Sequence, residues 1–331
     1  MKAVVWTKYG PPEVLQLKEV EKPLPKANEV LVRVLATSAF AGDCELRRLH
    51  VAPSIRPWLR LYIGLVKPKR ITILGQEMSG VIEAVGSEVK RFHPGDQVFG
   101  ISGGMHFGCY AEYVCIPEYA PLVIKPECIT FEQAAVLSAS GLEAIHFLDK
   151  AGVMEGQRVL INGAGGSIGT LALQMAKMSG AHVTCVDGQT KLQMLTELGA
   201  DEVIDYVLQD FTKNVGSYDL IFDVVGRLLM SNTLRSLKKG GTLILGNPGL
   251  IIPIFNKIYA KLSGRTVRTN LAPGKAEDLE RLKDLICTGK IRVVIDRKFP
   301  LERMVDAHRF VEMGHKKGNV VITVLDQGDS S

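Results

Sequence analysis

The sequence has no apolar run long enough to cross a bilayer. The longest candidate, Leu243 to Ile258, is broken by Pro248, Pro253, Asn256 and Lys257, so no integral membrane segment is expected. A basic and apolar leader is also missing, because Met1 to Trp6 runs straight into a strand-like pattern, and the expected location is cytoplasmic. Charge of one sign is not in large excess. The 40 Lys and Arg against 35 Asp and Glu leave a net +5, too mild for a nucleic-acid footprint, and no nucleic-acid partner is expected. The six cysteines (Cys44, Cys109, Cys115, Cys128, Cys185 and Cys287) make no C-x-x-C pair and no framework spacing, which predicts reduced thiols. Internal repeats and low-complexity segments are absent.

What is present is ordinary globular composition. At 331 residues, 46% hydrophobic and 23% charged, the chain is long enough for two domains with real cores. The first third carries short β-type runs at Val4 to Trp6, Leu15 to Lys18, Val30 to Leu35, Gly80 to Val85, Gln97 to Phe99 and Ala111 to Cys115. Pro11-Pro12, Pro23, Pro25, Pro94-Gly95 and Pro117 punctuate them, and the pattern predicts an all-β domain. A return of β pattern at Val293 to Phe299 and Val320 to Leu325 predicts that the C-terminus rejoins a sheet.

The middle follows a different rule. Asn162 to Thr170 (NGAGGSIGT) lies between the apolar run Arg158 to Ile161 and a helical pattern, the place of a phosphate-binding turn. Gly165, Gly166 and Gly169 give the backbone room there, while counting back from Gly169 puts Ala164 where a G-x-G-x-x-G turn has its first glycine. Packing alone is the competing explanation for such a turn. A second run, His182 to Val186, ends at Asp187, where a ribose-binding acid is expected. Further runs at Glu202 to Ile204, Asp219 to Val225 and Thr242 to Leu245 alternate with helical patterns at Lys191 to Leu198 and Ser231 to Leu237. The alternation predicts an α/β domain with a doubly wound parallel sheet.

Five ordered motifs now carry a resemblance. LGQEMSGVIEAVG (Leu74 to Gly86), GDQVFG (Gly95 to Gly100), YAEYV (Tyr110 to Val114), NGAGGSIG (Asn162 to Gly169) and LGADEVIDY (Leu198 to Tyr206) resemble the medium-chain dehydrogenase/reductase superfamily, most closely its zinc-free quinone oxidoreductase branch. The resemblance implies a GroES-like all-β catalytic domain over 1–122, a Rossmann domain over 123–270 and a C-terminal segment, 271–331, returning to the catalytic domain. It implies a nicotinamide bound between them. Zinc-dependent members have a cysteine three positions before the aspartate matching Asp43 and a histidine after the glycine matching Gly75. Phe40 and Gln76 stand there instead, neither of which replaces thiolate or imidazole, so no metal is expected. Cys44 with His50 and His106 with Cys109 are the competing candidates for a metal, weighed against plain loop residues.

By the same resemblance, Asp43 and Arg47 fall at the edge of the substrate cleft, with Tyr110 and Tyr62 as candidate donors. A structural hydroxyl is the competing role for each tyrosine, and a local ion pair with Asp43 or Glu45 the competing role for Arg47. The cofactor contacts are Ala164, Gly165, Gly166, Ser167, Ile168 and Gly169 at the turn, with Asp187, Lys191 and Tyr206 on the adenosine side. On the nicotinamide side they are Val225, Gly226, Gly246, Asn247 and Asn319. Asp187 argues for NADH; Lys191 and Tyr206, at the places where similar quinone reductases hold a 2′-phosphate, argue for NADPH, which is favoured. The competing reading makes Lys191 a solvated residue of a helix's first turn. Glu143 stands where relatives commonly have threonine.

Arg56 to Arg70 (RPWLRLYIGLVKPKR) mixes apolar residues with cations at both ends. It suits a cover for the substrate cleft, a preference for apolar substrate, or contact with an anionic membrane surface, in that order. A second apolar segment, Leu250 to Leu262, suits a subunit contact, and a homodimer is expected. The leading function is a zinc-independent NAD(P)H-dependent reductase of a small apolar carbonyl or quinone. The alternatives are a nicotinamide-binding redox-sensing or membrane-peripheral protein with little turnover, and an alcohol dehydrogenase.

Overall fold

The computed structural model describes residues 1–51, 53, 55–226, 229–246, 260–269, 272 and 274–324. The chain forms two compact units. One comprises Met1–Leu142, Pro273–Gly289 and Ile295–Ser331, the other Glu143–Ala272 and Lys290–Val294. The boundary read at 122 therefore lies inside the first unit.

The first unit opens with β1 (Lys2–Trp6) paired antiparallel to β2 (Leu15–Glu19). Its centre is β3 (Glu29–Ser38), a Val- and Leu-rich strand buried along almost its whole length, with Val30, Val32 and Val34 of one face in a core cluster. It pairs antiparallel with β4 (Glu77–Val85), which continues to β5 (Gln97–Ile101) and β7 (Leu122–Ile124), while β6 (Tyr113–Pro117) also pairs with β3. Two short helices, α1 (Ala41–Arg48) and α2 (Arg56–Ile63), interrupt the β pattern. Leu59 and Ile63, four apart and on one face of α2, join the core cluster that holds Trp6, Leu74 and Tyr110; burying each contributes on the order of 2 kcal/mol.

Helix α3 (Phe131–Ala151) carries the chain into the second unit. There β8 (Arg158–Asn162), α4 (Ser167–Met178), β9 (His182–Asp187), α5 (Gln189–Glu197), β10 (Glu202–Asp205), β11 (Tyr218–Asp223), α6 (Met230–Ser236), β12 (Leu237–Leu245) and β13 (Thr266–Thr269) follow. The strands form a parallel sheet in the order β10-β9-β8-β11-β12-β13. Order reverses between β8 and β11, so their carboxyl ends, Asn162 and Asp223, flank the switch point where such sheets bind ligands. No described helix is long and apolar enough to cross a membrane.

The chain then returns to the first unit through α7 (Ala276–Cys287), β14 (Ile295–Pro300), α8 (Met304–Glu312) and β15 (Asn319–Thr323), the last pairing antiparallel with β3. This return corrects the expectation that all cysteines are reduced: Cys128 and Cys287 form a disulfide across 159 residues of sequence. Linear spacing gave no sign of it, because the partners meet only once α7 packs beside β7. Cys44, Cys109, Cys115 and Cys185 are free. Alkylation of the unreduced, denatured protein should therefore label those four cysteines and spare two, and Cys128→Ser should cost about 2–4 kcal/mol in urea unfolding. Labelling of all six would refute the pairing.

Candidate functional site

The turn after β8 is built around Gly163, whose φ of +81° only glycine adopts without strain. This is the first turn glycine that sequence counting placed at Ala164; it lies one residue earlier, and Ala164 is instead buried. Gly169 sets the packing of α4 on the turn, since a Cβ there would lie 2.5 Å from the Gly163 carbonyl oxygen. A Cβ on Gly166 would meet nothing nearer than that same oxygen at 3.4 Å, which leaves an open cradle in front of the first turn of α4, where Ser167, Ile168 and Gly169 present backbone amides. A diphosphate fits such a cradle.

Asp187, the last residue of β9, closes one wall. Its Oδ2 accepts from the Gly165 amide at 2.8 Å and its Oδ1 from the Gly188 amide at 2.8 Å. Lys191 Nζ lies 3.0 Å from Oδ1 with both side chains only 9% exposed, so Lys191 is not the solvated helix residue of the competing reading. The pair offsets the carboxylate charge beside the cradle. Tyr206 follows Asp205 of β10 and brings its ring against Gly188, within 3.5 Å of where a Cβ would be.

On the other side of the switch point, Asp223 ends β11. Its Oδ1 accepts from Asn162 Nδ2 at 2.8 Å and from the amides of Val225 and Gly226 at 3.1 Å, and its backbone carbonyl accepts from the Gly246 amide at 2.9 Å. Burial pushes the Asp223 carboxyl above its usual range. Sequence reasoning missed Asp223 and Asn162 as organisers, although both end apolar strands. Asn247 lies outside the described residues, and Asn319 opens β15 in the first unit.

Asp43, Arg47 and Tyr110 come together inside the first unit. Arg47 and Tyr110 have no exposed surface and Asp43 has 5%. Tyr110 Oη donates to Asp43 Oδ2 at 2.9 Å, and His308 of α8 bridges onward, with Nε2 3.2 Å from Tyr110 Oη and Nδ1 3.0 Å from Arg47 Nη1. Arginine can only donate, so Nδ1 accepts and Nε2 carries the hydrogen. The donors run one way, from Arg47 through His308 and Tyr110 to Asp43. The second amino group of Arg47 pairs with Glu312, and its Nε donates to the Gly10 carbonyl at 3.1 Å; the ion pair is thus with α8 rather than local. Burial raises the Asp43 carboxyl to about 6 against its hydrogen bonds, and lowers His308 to about 3, which keeps the imidazole neutral. Tyr62 lies on α2, stacked on Trp58 at 5.4 Å with Arg70 over its ring, and packs against the same core cluster as Tyr110. Glu143 lies half-buried in α3.

Glu77 was also missed, though it follows Gln76 in a quoted motif. It accepts from the Ser38 hydroxyl and, at 2.7 Å, from the Ala139 amide, and burial raises it to about 7, with Asp43 adding to the rise and Lys316 opposing it. Nearby, Gln76 donates its amide to the Gly104 carbonyl at 3.3 Å, and Cys44 Sγ faces His308 Nδ1 at 3.2 Å rather than His50. Among the described residues no group of three His, Cys, Asp or Glu is placed to hold a metal.

Two sequence families match the chain: the alcohol dehydrogenase GroES-like domain over residues 26–127 and the zinc-binding dehydrogenase over residues 198–322. A 2-methylene-furan-3-one reductase of Solanum lycopersicum is 30% identical over 97% of this chain and 79% of its own length. The quinone oxidoreductase from Coxiella burnetii superposes with a TM-score of 0.86 at 32% identity, covering 98% of this chain and 99% of that one. Escherichia coli quinone oxidoreductase complexed with NADPH gives 0.85 at 26% identity, covering 98% and 100%. The chain belongs to the medium-chain dehydrogenase/reductase superfamily, in its quinone oxidoreductase-like branch, and is an oxidoreductase with a nicotinamide cofactor.

Tyr110→Phe removes the central hydroxyl of the buried donor chain and should cost about 1–3 kcal/mol in urea unfolding; an unchanged midpoint would show that the chain contributes nothing. For Glu77 the raised folded-state value means the folded protein holds a proton that the unfolded chain releases above about 4.5. The stability of the wild type relative to Glu77→Gln should thus be highest below that pH and fall as pH rises through about 7, with a slope up to about 1.4 kcal/mol per pH interval. Parallel pH profiles for the two proteins would refute the assignment.

Proposed function

We propose that the protein is a zinc-independent reductase that uses NADPH to deliver hydride to a quinone or to the β-carbon of a small apolar α,β-unsaturated carbonyl. The observation that carries the cofactor reading is the Asp187–Lys191 pair beside Gly165, since an acid already matched by a cation no longer repels a 2′-phosphate. Lys191, the Gly188 amide and Tyr206 are the groups offered to that phosphate, and the amides of Ser167 to Gly169 are those offered to the diphosphate. The E. coli neighbour complexed with NADPH and the tomato reductase of an enone support the same reading by likeness.

Bound nicotinamide supplies the hydride. This chain supplies placement: Asp223 fixes the turn that carries Val225 and Gly226, which are the residues offered to the nicotinamide side together with Gly246. The polar groups of Asp43, Arg47 and Tyr110 are all taken up inside the fold, Arg47 reaching Tyr110 only through His308, so their role in this reading is positioning: the donors from Arg47 to Tyr110 hold Asp43 at the start of α1. An alcohol dehydrogenase is disfavoured because Phe40 and Gln76 leave no ligand pair for a Lewis acid to polarise an alkoxide. The reading includes a homodimer. Among the described residues the sheet ends on β13, and of the apolar segment Leu250 to Leu262 the part from Leu250 to Tyr259 lies outside them.

The test is a titration with NADPH and NADH followed by addition of 1,4-benzoquinone, 9,10-phenanthrenequinone and small enones, read by nicotinamide absorbance. NADPH should bind about tenfold tighter or better, and Lys191→Ala should abolish that margin while sparing NADH. Equal losses for both cofactors would defeat the phosphate role, and binding without turnover would defeat the reductase.

A further inference from the structure

We propose that α2 and the loop after it form a docking surface for the anionic headgroups of a lipid bilayer. The surface is independent of the cofactor site and of the reductase reading.

Between Glu45 and Glu77 the sequence has no Asp or Glu, yet it holds Arg47, Arg48, Arg56, Arg60, Lys67, Lys69 and Arg70. Arg47 is buried and paired with Glu312; the other six are exposed. Their compensation is thin. Arg48 reaches Glu312 only at 3.7 Å, Arg56 touches the Val51 carbonyl at 3.5 Å, and Arg60 and Arg70 lie over the rings of Tyr9 and Tyr62 at 5.6 and 4.2 Å. Three of these guanidinium groups, with Leu49 and His50, line a surface cavity of about 250 Å³. Arg48, Arg56 and Arg60 thus present donors around a space that takes a phosphate group.

The apolar residues beside them face outward. Helical spacing puts Leu59 and Ile63 on the buried face of α2, Arg56 and Arg60 on one shoulder, and Leu61 and Trp58 on the outer crest. Trp58 is 56% exposed, Leu61 72%, Leu65 64% and Val66 87%. A crest of Trp and Leu flanked by long basic side chains is the chemistry of an interfacial segment: the rings and aliphatic groups enter the headgroup boundary while the cations stay at the phosphates. A second copy of this chain is a poor occupant, because a face-to-face contact would set six cations against six. An anionic bilayer satisfies the crest and the cations together.

The experiment uses the full chain with vesicles of phosphatidylcholine alone and of phosphatidylcholine with about 30% phosphatidylglycerol, at low and high salt. Sedimentation should show binding to the anionic vesicles at least tenfold above the neutral ones, falling with salt. Trp58 emission should move to the blue, while Trp6, 1% exposed in the core, gives no shift, so Trp58→Phe should silence the change. Arg56→Glu with Arg60→Glu should lower vesicle binding tenfold or more, and so should Leu61→Asp, with thermal unfolding and nicotinamide binding unchanged. Equal binding to neutral vesicles, or binding that survives the double charge reversal, would overturn the proposal. Self-association abolished by Leu61→Asp with no vesicle binding would overturn it in favour of a second copy.

Discussion

A parallel sheet covered on both faces leaves polar chemistry only at the ends of its strands, and the second unit is arranged by that constraint. Strands β8, β9 and β11 are apolar in their buried middles and finish on Asn162, Asp187 and Asp223. Each of these buried polar residues then shapes a turn. Asp187 holds the Gly165 and Gly188 amides, and Asp223 holds Asn162, Val225 and Gly226. A buried carboxylate persists only where donors meet it, so the same residues that are costly to bury also fix the backbone of the turns at the strand ends.

The first unit solves a similar problem differently. Here a cation, an imidazole and a hydroxyl point in series at one acid, and the remaining charge on Arg47 is met by Glu312. Because arginine cannot accept a hydrogen bond, the direction of the whole series follows from its first member. The series joins α1 to α8, segments separated by more than two hundred residues, so the returning C-terminus is part of the same core as the opening strands.

Much of this was legible in advance. The alternating runs marked most strands of both units, though not β7 or β13, since hydrophobic period and proline or glycine punctuation are local signals. The glycine-rich turn between β8 and α4 was legible too; motif spacing put Ala164 at the first glycine's place, whereas the backbone turns at Gly163. The environment of a side chain was not local. The sequence left Lys191 between a phosphate-side contact and a solvated helix residue, and only the approach of α5 to the end of β9 buries it on Asp187. His308, Glu312 and the Cys128–Cys287 bond escaped for the same reason, as each partner arrives from a distant segment.

Burial of charge separates the functional groups into two kinds. Arg47 and Lys191 are enclosed, and each has an acid within ion-pair distance, as the cost of desolvating a cation requires. The exposed cations from Arg48 to Arg70 face no such requirement, because water stabilises them without a partner. Folding therefore does not account for the absence of acids over that stretch, nor for the apolar crest of Trp58 and Leu61 beside it, which stays more than half exposed in the folded chain. From α2 the core takes Leu59 and Ile63, with Tyr62 packed against it. The outward residues answer to something outside the fold, and their combination of aromatic, aliphatic and basic groups defines what that partner must offer.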